Sequence, residues 1–376
     1  MRKALNGAEA ATEALRQIDP EVFSAYPITP VTGIAEGLAD LASEGRTTGE
    51  LLPVESEHSA LSVCIGASAC GARTATATSS QGLLYMFELL GIASGLRLPI
   101  LMFIGNRAIS APINIHCDHS DSMAAKDSGW LQVYCETAQE VYDLSFIALK
   151  LAESASLPIM LCQDGFITTH TLEPVKIIDD AEIKKFIGFH KPKDTLLNTK
   201  KPKTMGHFSM PDSYFEFKEA QEKAMSHSIK EYSRIIKKYS RISGEKYPPI
   251  ARYKTSRADF IMVSMSSVSG IAKDTVDELR KKGIKVGFLK IRLFRPFPYK
   301  AVCEALKNAK GIAVLDRTLS FGSMPPLYSE IKNCFMGNIQ PYVFGLGGRD
   351  ITKEQIHEVF KKLSKKDYEE GTRYIK

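Results

Sequence analysis

The sequence predicts two α/β units of unequal size joined by a basic arm. Three observations lead there. Short apolar or β-branched runs alternate with helical stretches over residues 1–170, the rhythm lapses over 171–257, where Lys and Pro accumulate, and it resumes over 258–376. Alternation of short buried strands with longer helices is what a parallel sheet covered on both faces requires. A chain of 376 residues with 44% hydrophobic side chains can bury such cores, at roughly 150 residues per domain.

In the first unit, strands are expected at Val22 to Tyr26, Leu51 to Val54, Arg73 to Thr78, Pro99 to Ile104 and Pro158 to Cys162. Helices are expected between them at Ile34 to Ser43, His58 to Cys70, Gly82 to Leu96 and Ala138 to Ser154. Lys191-Pro192-Lys193 and Lys201-Pro202-Lys203 read as extended linker, and a helix resumes over Tyr214 to Lys238. The second unit reads as strand Phe260 to Met265, helix Ile271 to Lys282, strand Val286 to Ile291, helix Tyr299 to Asn308, strands Ile312 to Leu315 and Tyr342 to Phe344, and a last helix from Thr352.

Composition narrows the function classes. The longest clean apolar run, Leu98 to Gly105, is far short of the roughly 18 residues that a membrane span needs, and a buried strand explains it. Arg2 and Lys3 lead into Asn6-Gly7-Ala8-Glu9 without an apolar signal segment, so a cytoplasmic protein is expected. The seven cysteines form no C-x-x-C pair, which argues against a disulfide framework, a zinc ribbon or an iron–sulfur cage in this chain. Any cluster would sit on another chain.

Charge is uneven. Residues 184–254 hold 17 Lys and Arg against 7 Asp and Glu. The segment reads as a solvated linker and helix or as a dock for an acidic partner subunit, and it has no ordered nucleic-acid-binding motif.

Three places carry candidate chemistry, each after an expected strand, where open α/β sheets bind ligands. In Tyr26-Pro27-Ile28-Thr29-Pro30, Thr29 reads either as a ligand-facing hydroxyl or as an N-cap before Pro30. In Glu55-Ser56-Glu57-His58-Ser59-Ala60, Glu57 is either a working carboxylate or a complement to a helix dipole. In Gly105-Asn106-Arg107, the planar guanidinium suits the carboxylate of an acid substrate, with a surface ion pair as the structural alternative. The polar loop Ser110 to Gly129 follows. His116 and His119 flank Cys117 and Asp118 there, but the spacing lacks a helical H-x-x-x-H register and no metal is expected.

The motifs AYPITP (Ala25 to Pro30), ESEHSA (Glu55 to Ala60), TSSQGL (Thr78 to Leu83), GNRAISAPINIHCDHSD (Gly105 to Asp121) and FGLGGRD (Phe344 to Asp350) resemble the alpha subunit of pyruvate:ferredoxin oxidoreductase. They span both units in the family's order. The resemblance implies a thiamine-diphosphate-binding domain of the pyrimidine type over 1–170, a basic linker and helical arm over 171–257, and a smaller transketolase-C-terminal-like α/β domain over 258–376. It further implies oxidative decarboxylation of pyruvate with coenzyme A to acetyl-CoA and carbon dioxide, electrons passing to ferredoxin.

By that resemblance Glu57 matches the glutamate on the cofactor's aminopyrimidine ring, where a carboxylate relays the proton that activates the thiazolium carbon. Thr29 and Arg107 match substrate-holding residues, and Pro27 approaches the cofactor through its backbone. The chain has no Gly-Asp-Gly turn with a downstream Asn to hold magnesium and the diphosphate, Gln163-Asp164-Gly165 being the nearest approach. The resemblance therefore implies a beta subunit supplying the diphosphate and Mg2+ site, with gamma and ferredoxin-like delta subunits and iron–sulfur clusters on the partners. His116 and Cys117 depart from the Trp or Gly of many relatives, and Ser56 and His58 vary around Glu57.

Branched-chain 2-oxo acids and 2-oxoglutarate stand as alternative substrates. A lipoamide-dependent 2-oxo acid dehydrogenase lacks YPITP and GNR. A nicotinamide dehydrogenase would need G-x-G-x-x-G after its first strand, and Gly345-Leu346-Gly347-Gly348 comes too late. A non-catalytic assembly protein would not need Glu57, Thr29 and Arg107 together. If the arm docks an acidic partner, rising ionic strength should release the chain from its complex in sizing experiments; assembly indifferent to salt would leave the arm a solvated linker.

Overall fold

In a computed structural model of the chain, which describes every residue except Lys193, two parallel-based sheets lie side by side. The first has seven strands in the order Leu293–Arg295, Leu131–Tyr134, Ile159–Asp164, Ile100–Asn106, Thr74–Thr78, Val22–Ala25 and Glu50–Pro53. All pairings are parallel except that of Leu293–Arg295 on Leu131–Tyr134. The second has six strands in the order Arg373–Ile375, Asn338–Phe344, Gly311–Asp316, Phe260–Met265, Val286–Ile291 and Ile250–Tyr253, antiparallel only at the last pairing. The α/β fold expected from the sequence is the fold observed.

Parallel strands covered on both faces read as continuous apolar runs, and Ile100–Asn106 and Ile159–Asp164 are buried at every position. The helix Ala138–Ala155 starts at Thr137, whose hydroxyl caps the amide of Glu140, and 13 of its 18 residues are buried. Two helices wrap it. One, Gly7–Ile18, was not anticipated, although Asn6 and Glu9 form a capping box at its start. The other is the 33-residue helix Pro211–Ser243, longer at both ends than Tyr214 to Lys238.

Several elements differ from expectation. The helix expected over Gly82 to Leu96 is two helices, Ser80–Tyr85 and Phe87–Gly95, broken at Met86. The arm carries a strand, Glu173–Lys176, paired antiparallel with Arg2–Leu5, and a short helix, Asp180–Ile187. Residues 189–210, Lys193 lying outside the described residues, contain neither helix nor strand. The long helix buries Met225, Tyr232, Ile235 and Tyr239 in the core of the first sheet. Asp143 on the helix 138–155 accepts hydrogen bonds from Tyr239 at 2.5 Å and from Tyr247. The arm's second half is thereby part of the folded body, with its lysines on the outer face.

The sheets share charged groups as well as apolar ones. Lys290, only 1% exposed, bridges Glu136 at 2.6 Å and Glu140 at 2.5 Å, and Arg292 also bonds Glu140, at 2.8 Å. Burial alone would raise the Glu140 carboxyl, but Arg292 and Lys290 hold it down at about 2. A buried pair stabilises little against an apolar replacement, yet removing one partner strands the other's charge. Lys290→Met should therefore cost about 3 kcal/mol in urea unfolding, and a loss below about 1 kcal/mol would show the network to be dispensable. Because the Glu140 carboxyl is depressed in the fold, its contribution is present at neutral pH and is lost as the pH falls from the usual carboxylate range towards 2.

Candidate active site

The carboxyl ends of the strands Val22–Ala25, Glu50–Pro53, Thr74–Thr78, Ile100–Asn106 and Ile159–Asp164 form one edge of the first sheet. The turn 26–30, Glu57, the loop after Thr78 and Arg107 all follow directly from those ends. Their convergence is a consequence of parallel pairing.

Glu57 is the first residue of the helix Glu57–Ala69, whose N-cap Ser56 accepts from the Ser59 amide at 3.2 Å. It is 8% exposed. Among the described residues its carboxylate has no hydrogen-bond partner. A Cβ on Gly82 would sit 2.7 Å from Glu57 Oε1 and 2.6 Å from Thr78 Oγ1. Glycine at 82 is therefore the clearance that lets the Glu57 side chain lie against the TSSQGL turn. Thr78 Oγ1 and Gln81 Nε2 are buried there without partners among the described residues.

Thr29 lies on the exposed turn between strand and helix, beside Pro27, with Pro30 and Val31 buried beneath it. The following helix begins at Thr32 with Val31 as its N-cap, so Thr29 does not cap it.

Arg107 is 9% exposed and has no carboxylate partner among the described residues. Its Nη1 donates to the Thr29 carbonyl at 3.1 Å and its Nε to the Asn114 carbonyl at 3.3 Å. Nη2 has no protein partner among the described residues. An Arg that bonds only neutral carbonyls keeps its positive charge unpaired, and a carboxylate is the group whose geometry matches the fork. The Arg107 backbone is fixed separately. Its amide donates to Asp121 at 3.0 Å, as does that of Ser80 at 3.0 Å, and Asn106 Nδ2 donates to the same carboxylate at 2.8 Å. Burial pushes the Asp121 carboxyl up to about 6 against these hydrogen bonds.

Sequence reasoning missed the role of Asp164. Its carboxylate takes a bond from His119 Nε2 at 2.8 Å and, from the second unit, bonds from Ser266 at 2.7 Å, from both amide and hydroxyl of Ser267, and from Arg317 Nη1 at 3.1 Å. Burial would raise this carboxyl, but Arg317 and then His119 outweigh it and hold it far below the usual range. Asp164 is thus committed to the seam between the units. Cys117, His119 and Asp164 bring three ligand-type atoms within 4.8 Å of one another. The Arg317 guanidinium, 3.5 Å from Cys117 Sγ and 3.1 Å from Asp164, already supplies the cation there. In the sequence Gln163-Asp164-Gly165 stands out only as the nearest approach to a Gly-Asp-Gly turn, and the residues that close on Asp164 are distant along the chain.

The geometry can be set beside known proteins. Residues 13–237 match the family model described as pyruvate flavodoxin/ferredoxin oxidoreductase, thiamine diphosphate-binding. The chain belongs to this family. Residues 258–356 match pyruvate:ferredoxin oxidoreductase core domain II. The chain is 47% identical over 366 residues to pyruvate synthase subunit PorA of Thermotoga maritima, covering 96% of this chain and 93% of that one. Identity to the PorA subunit of Methanocaldococcus jannaschii is 45% over 372 residues, covering 96% and 95%. Ketoisovalerate oxidoreductase subunit VorA of Pyrococcus horikoshii is 40% identical over 371 residues, covering 97% and 94%. A solved structure of 2-oxoglutarate:ferredoxin oxidoreductase from Magnetococcus marinus superposes with a TM-score of 0.75 over 96% of this chain, at 20% identity. That likeness is one of fold, and the chain spans 65% of that neighbour's length. As a family member the chain is a subunit of a 2-oxoacid:ferredoxin oxidoreductase, and no helix among its described residues is long and apolar enough to cross a membrane.

The seam has a consequence that can be measured. Asp164→Asn keeps the size of the side chain and removes its charge, leaving the buried Arg317 without a carboxylate. Such a loss costs about 3–5 kcal/mol, so the thermal midpoint should fall by several degrees. A midpoint within about one degree of the parent would show that Arg317 is satisfied otherwise.

Proposed function

We propose that the chain is the alpha subunit of a pyruvate:ferredoxin oxidoreductase, holding the aminopyrimidine half of thiamine diphosphate and the carboxylate of the 2-oxo acid. The observation that carries this reading is a pair of unpaired, opposite charges on one sheet edge: the Glu57 carboxylate and the Arg107 guanidinium, both largely buried and neither met by an opposite charge among the described residues. Leaving either charge empty-handed in a folded core is costly, and each has the form its ligand demands.

The residues present fit the cofactor's pyrimidine end. A carboxylate and a buried Thr78 hydroxyl that both lack partners among the described residues suit a ring that offers N–H donors and nitrogen acceptors. Thiamine diphosphate, when bound, supplies the nucleophilic carbon and the electron sink for decarboxylation. Glu57 Oε1 or Oε2 would hold the proton exchanged with the ring nitrogen. Glycine at 82 leaves room for the carboxylate beside the turn, and Pro27 would contact the cofactor through its backbone. Arg107 would bind the substrate carboxylate through Nη2, with the Thr29 hydroxyl beside it. Oxidation of pyruvate with coenzyme A would give acetyl-CoA and carbon dioxide, the electrons leaving to ferredoxin.

The other half of the site belongs to partners on this reading. Asp164 is occupied by Ser266, Ser267, Arg317 and His119, which leaves it no free oxygen to offer a magnesium ion. The scattered cysteines offer no thiolate cage for iron. A beta subunit would bring Mg2+ and the diphosphate site, and gamma and delta subunits the iron–sulfur clusters. Functionally the chain would divide into a pyrimidine-binding unit over 1–170, an arm over 171–257 and a buttressing unit over 258–376. The likeness to a ketoisovalerate oxidoreductase subunit keeps branched-chain 2-oxo acids as the second reading.

Glu57→Gln should abolish turnover while leaving the complex assembled, because an amide cannot take up the proton. Exchange of the cofactor's thiazolium proton, followed by NMR in the assembled complex, should slow by orders of magnitude; exchange at the parent rate would remove Glu57 from this role. The isolated chain should hold neither iron nor thiamine diphosphate tightly and should not turn over 2-oxo acids. A partner bearing the Gly-Asp-Gly motif and cluster cysteines should restore both, and stoichiometric iron in the isolated chain would overturn the division of labour.

A further inference from the structure

The guanidinium of Arg107 is aimed by two carbonyls that come from different places. Thr29 O belongs to a turn seated on the first sheet, with Val31 buried and its amide bonded to Ile28 at 2.9 Å. Asn114 O belongs to the loop 110–116, most of which is exposed. Within that loop the Asn114 side chain accepts from the His116 amide at 2.7 Å, and the Ala108 amide bonds the His116 carbonyl at 3.0 Å. Further bracing comes from the second unit. Asn114 Nδ2 donates to the Gly347 carbonyl at 3.1 Å, and the Gly348 amide donates to the Cys117 carbonyl at 2.7 Å.

The close approach depends on the glycines of the FGLGGRD motif. Gly347 and Gly348 have φ of 60° and 80°, the left-handed region that glycine occupies without strain. A Cβ on Gly347 would lie 2.5 Å from Asn114 Nδ2, and one on Gly348 would lie 2.4 Å from the His116 Cβ. A side chain at 347 would displace the Asn114 amide from the Gly347 carbonyl, and one at 348 would push the loop at His116.

We propose that Asn114, held by the Gly345–Gly348 turn of the second unit, is the positioning residue for Arg107, so that affinity for the substrate carboxylate is set across the seam between the two units. This rests on the reading of Arg107 as the carboxylate anchor. Asn114 does not touch substrate; it fixes the plane of a guanidinium that a carboxylate must meet in register. A lysine at 107 would not need such aiming, because its charge is not planar.

The test is steady-state kinetics of the assembled complex. Asn114→Ala keeps the carbonyl that Arg107 bonds but removes the two side-chain hydrogen bonds that hold it in place, one donated to the Gly347 carbonyl and one accepted from the His116 amide. The loosened carbonyl should raise the KM for the 2-oxo acid about three- to tenfold, the worth of its hydrogen bond to Arg107, with kcat and the KM for coenzyme A within about twofold of the parent. Gly347→Ala should move the same constant in the same direction. Arg107→Ala should raise that KM further, and Arg107→Ala with Asn114→Ala should be no worse than Arg107→Ala alone, since the two act in series. An unchanged KM in Asn114→Ala beside a raised one in Arg107→Ala would overturn the proposal and leave the anchor reading standing. An unchanged KM in Arg107→Ala would overturn the anchor reading itself. Equal losses in kcat and both KM values, or additive effects in the double variant, would mark Asn114 as merely structural and also overturn the proposal. If Gly347→Ala fails to assemble, Asn114→Ala decides.

Discussion

A carboxylate sealed from solvent, as Asp164 is at 1% exposure, must be met by donors or it will not stay charged in the fold. Asp164 ends a central strand of the first sheet, and most of its donors come from the second unit: Ser266, Ser267 and Arg317, with His119 from the first. The first sheet thus presents a charge that is met mainly from the second unit, through Arg317. Lys290 and Arg292 answer Glu136 and Glu140 in the same way a short distance along the seam. Such pairs contribute specificity of docking more than net stability, because their desolvation offsets most of their attraction.

The seam fixes the loop that matters most to the site. His119 is bonded to Asp164, its amide bonds the Arg317 carbonyl at 2.9 Å, and Asp121, two residues on, holds the backbone of Arg107. From the other direction the Gly345–Gly348 turn reaches Asn114 and Cys117. The loop between Arg107 and Asp121 is consequently gripped at its middle by the second unit and at both ends by the first. Exposed loops with few contacts of their own are ordinarily the mobile parts of a fold; here the bracing is supplied from another domain, and the charged group it serves stays pointed.

Much of the arrangement was legible in the residues. The alternation of strand and helix came from apolar period and length, and the candidates fell at strand ends because parallel sheets collect their loops on one edge. Glu57 and Arg107 drew attention as charges beside buried strands. What could not be read was which charges find partners. Glu57 and Arg107 look no different in the sequence from Asp164 and Glu140, yet the first two are left open and the last two are closed by residues more than one hundred positions away. The helix Gly7–Ile18 is legible through its capping box, Asn6 with Glu9. The strand Leu293–Arg295 was not, since its pairing with the first sheet is an encounter between distant segments that carries no local signature.

The sequence by itself determined the α/β class, the order of the strand-end motifs and the absence of any C-x-x-C spacing that could cage a cluster, because period, turn chemistry and spacing are local properties of a chain. Tertiary structure alone decided that Asp164 is a seam residue, that the glycines at 82, 347 and 348 are clearances for Glu57, Asn114 and His116, and that the Arg107 guanidinium is held by carbonyls and meets no opposing charge among the described residues. Those facts depend on what is brought within contact distance by folding, and spacing along the chain carries no information about distance across it.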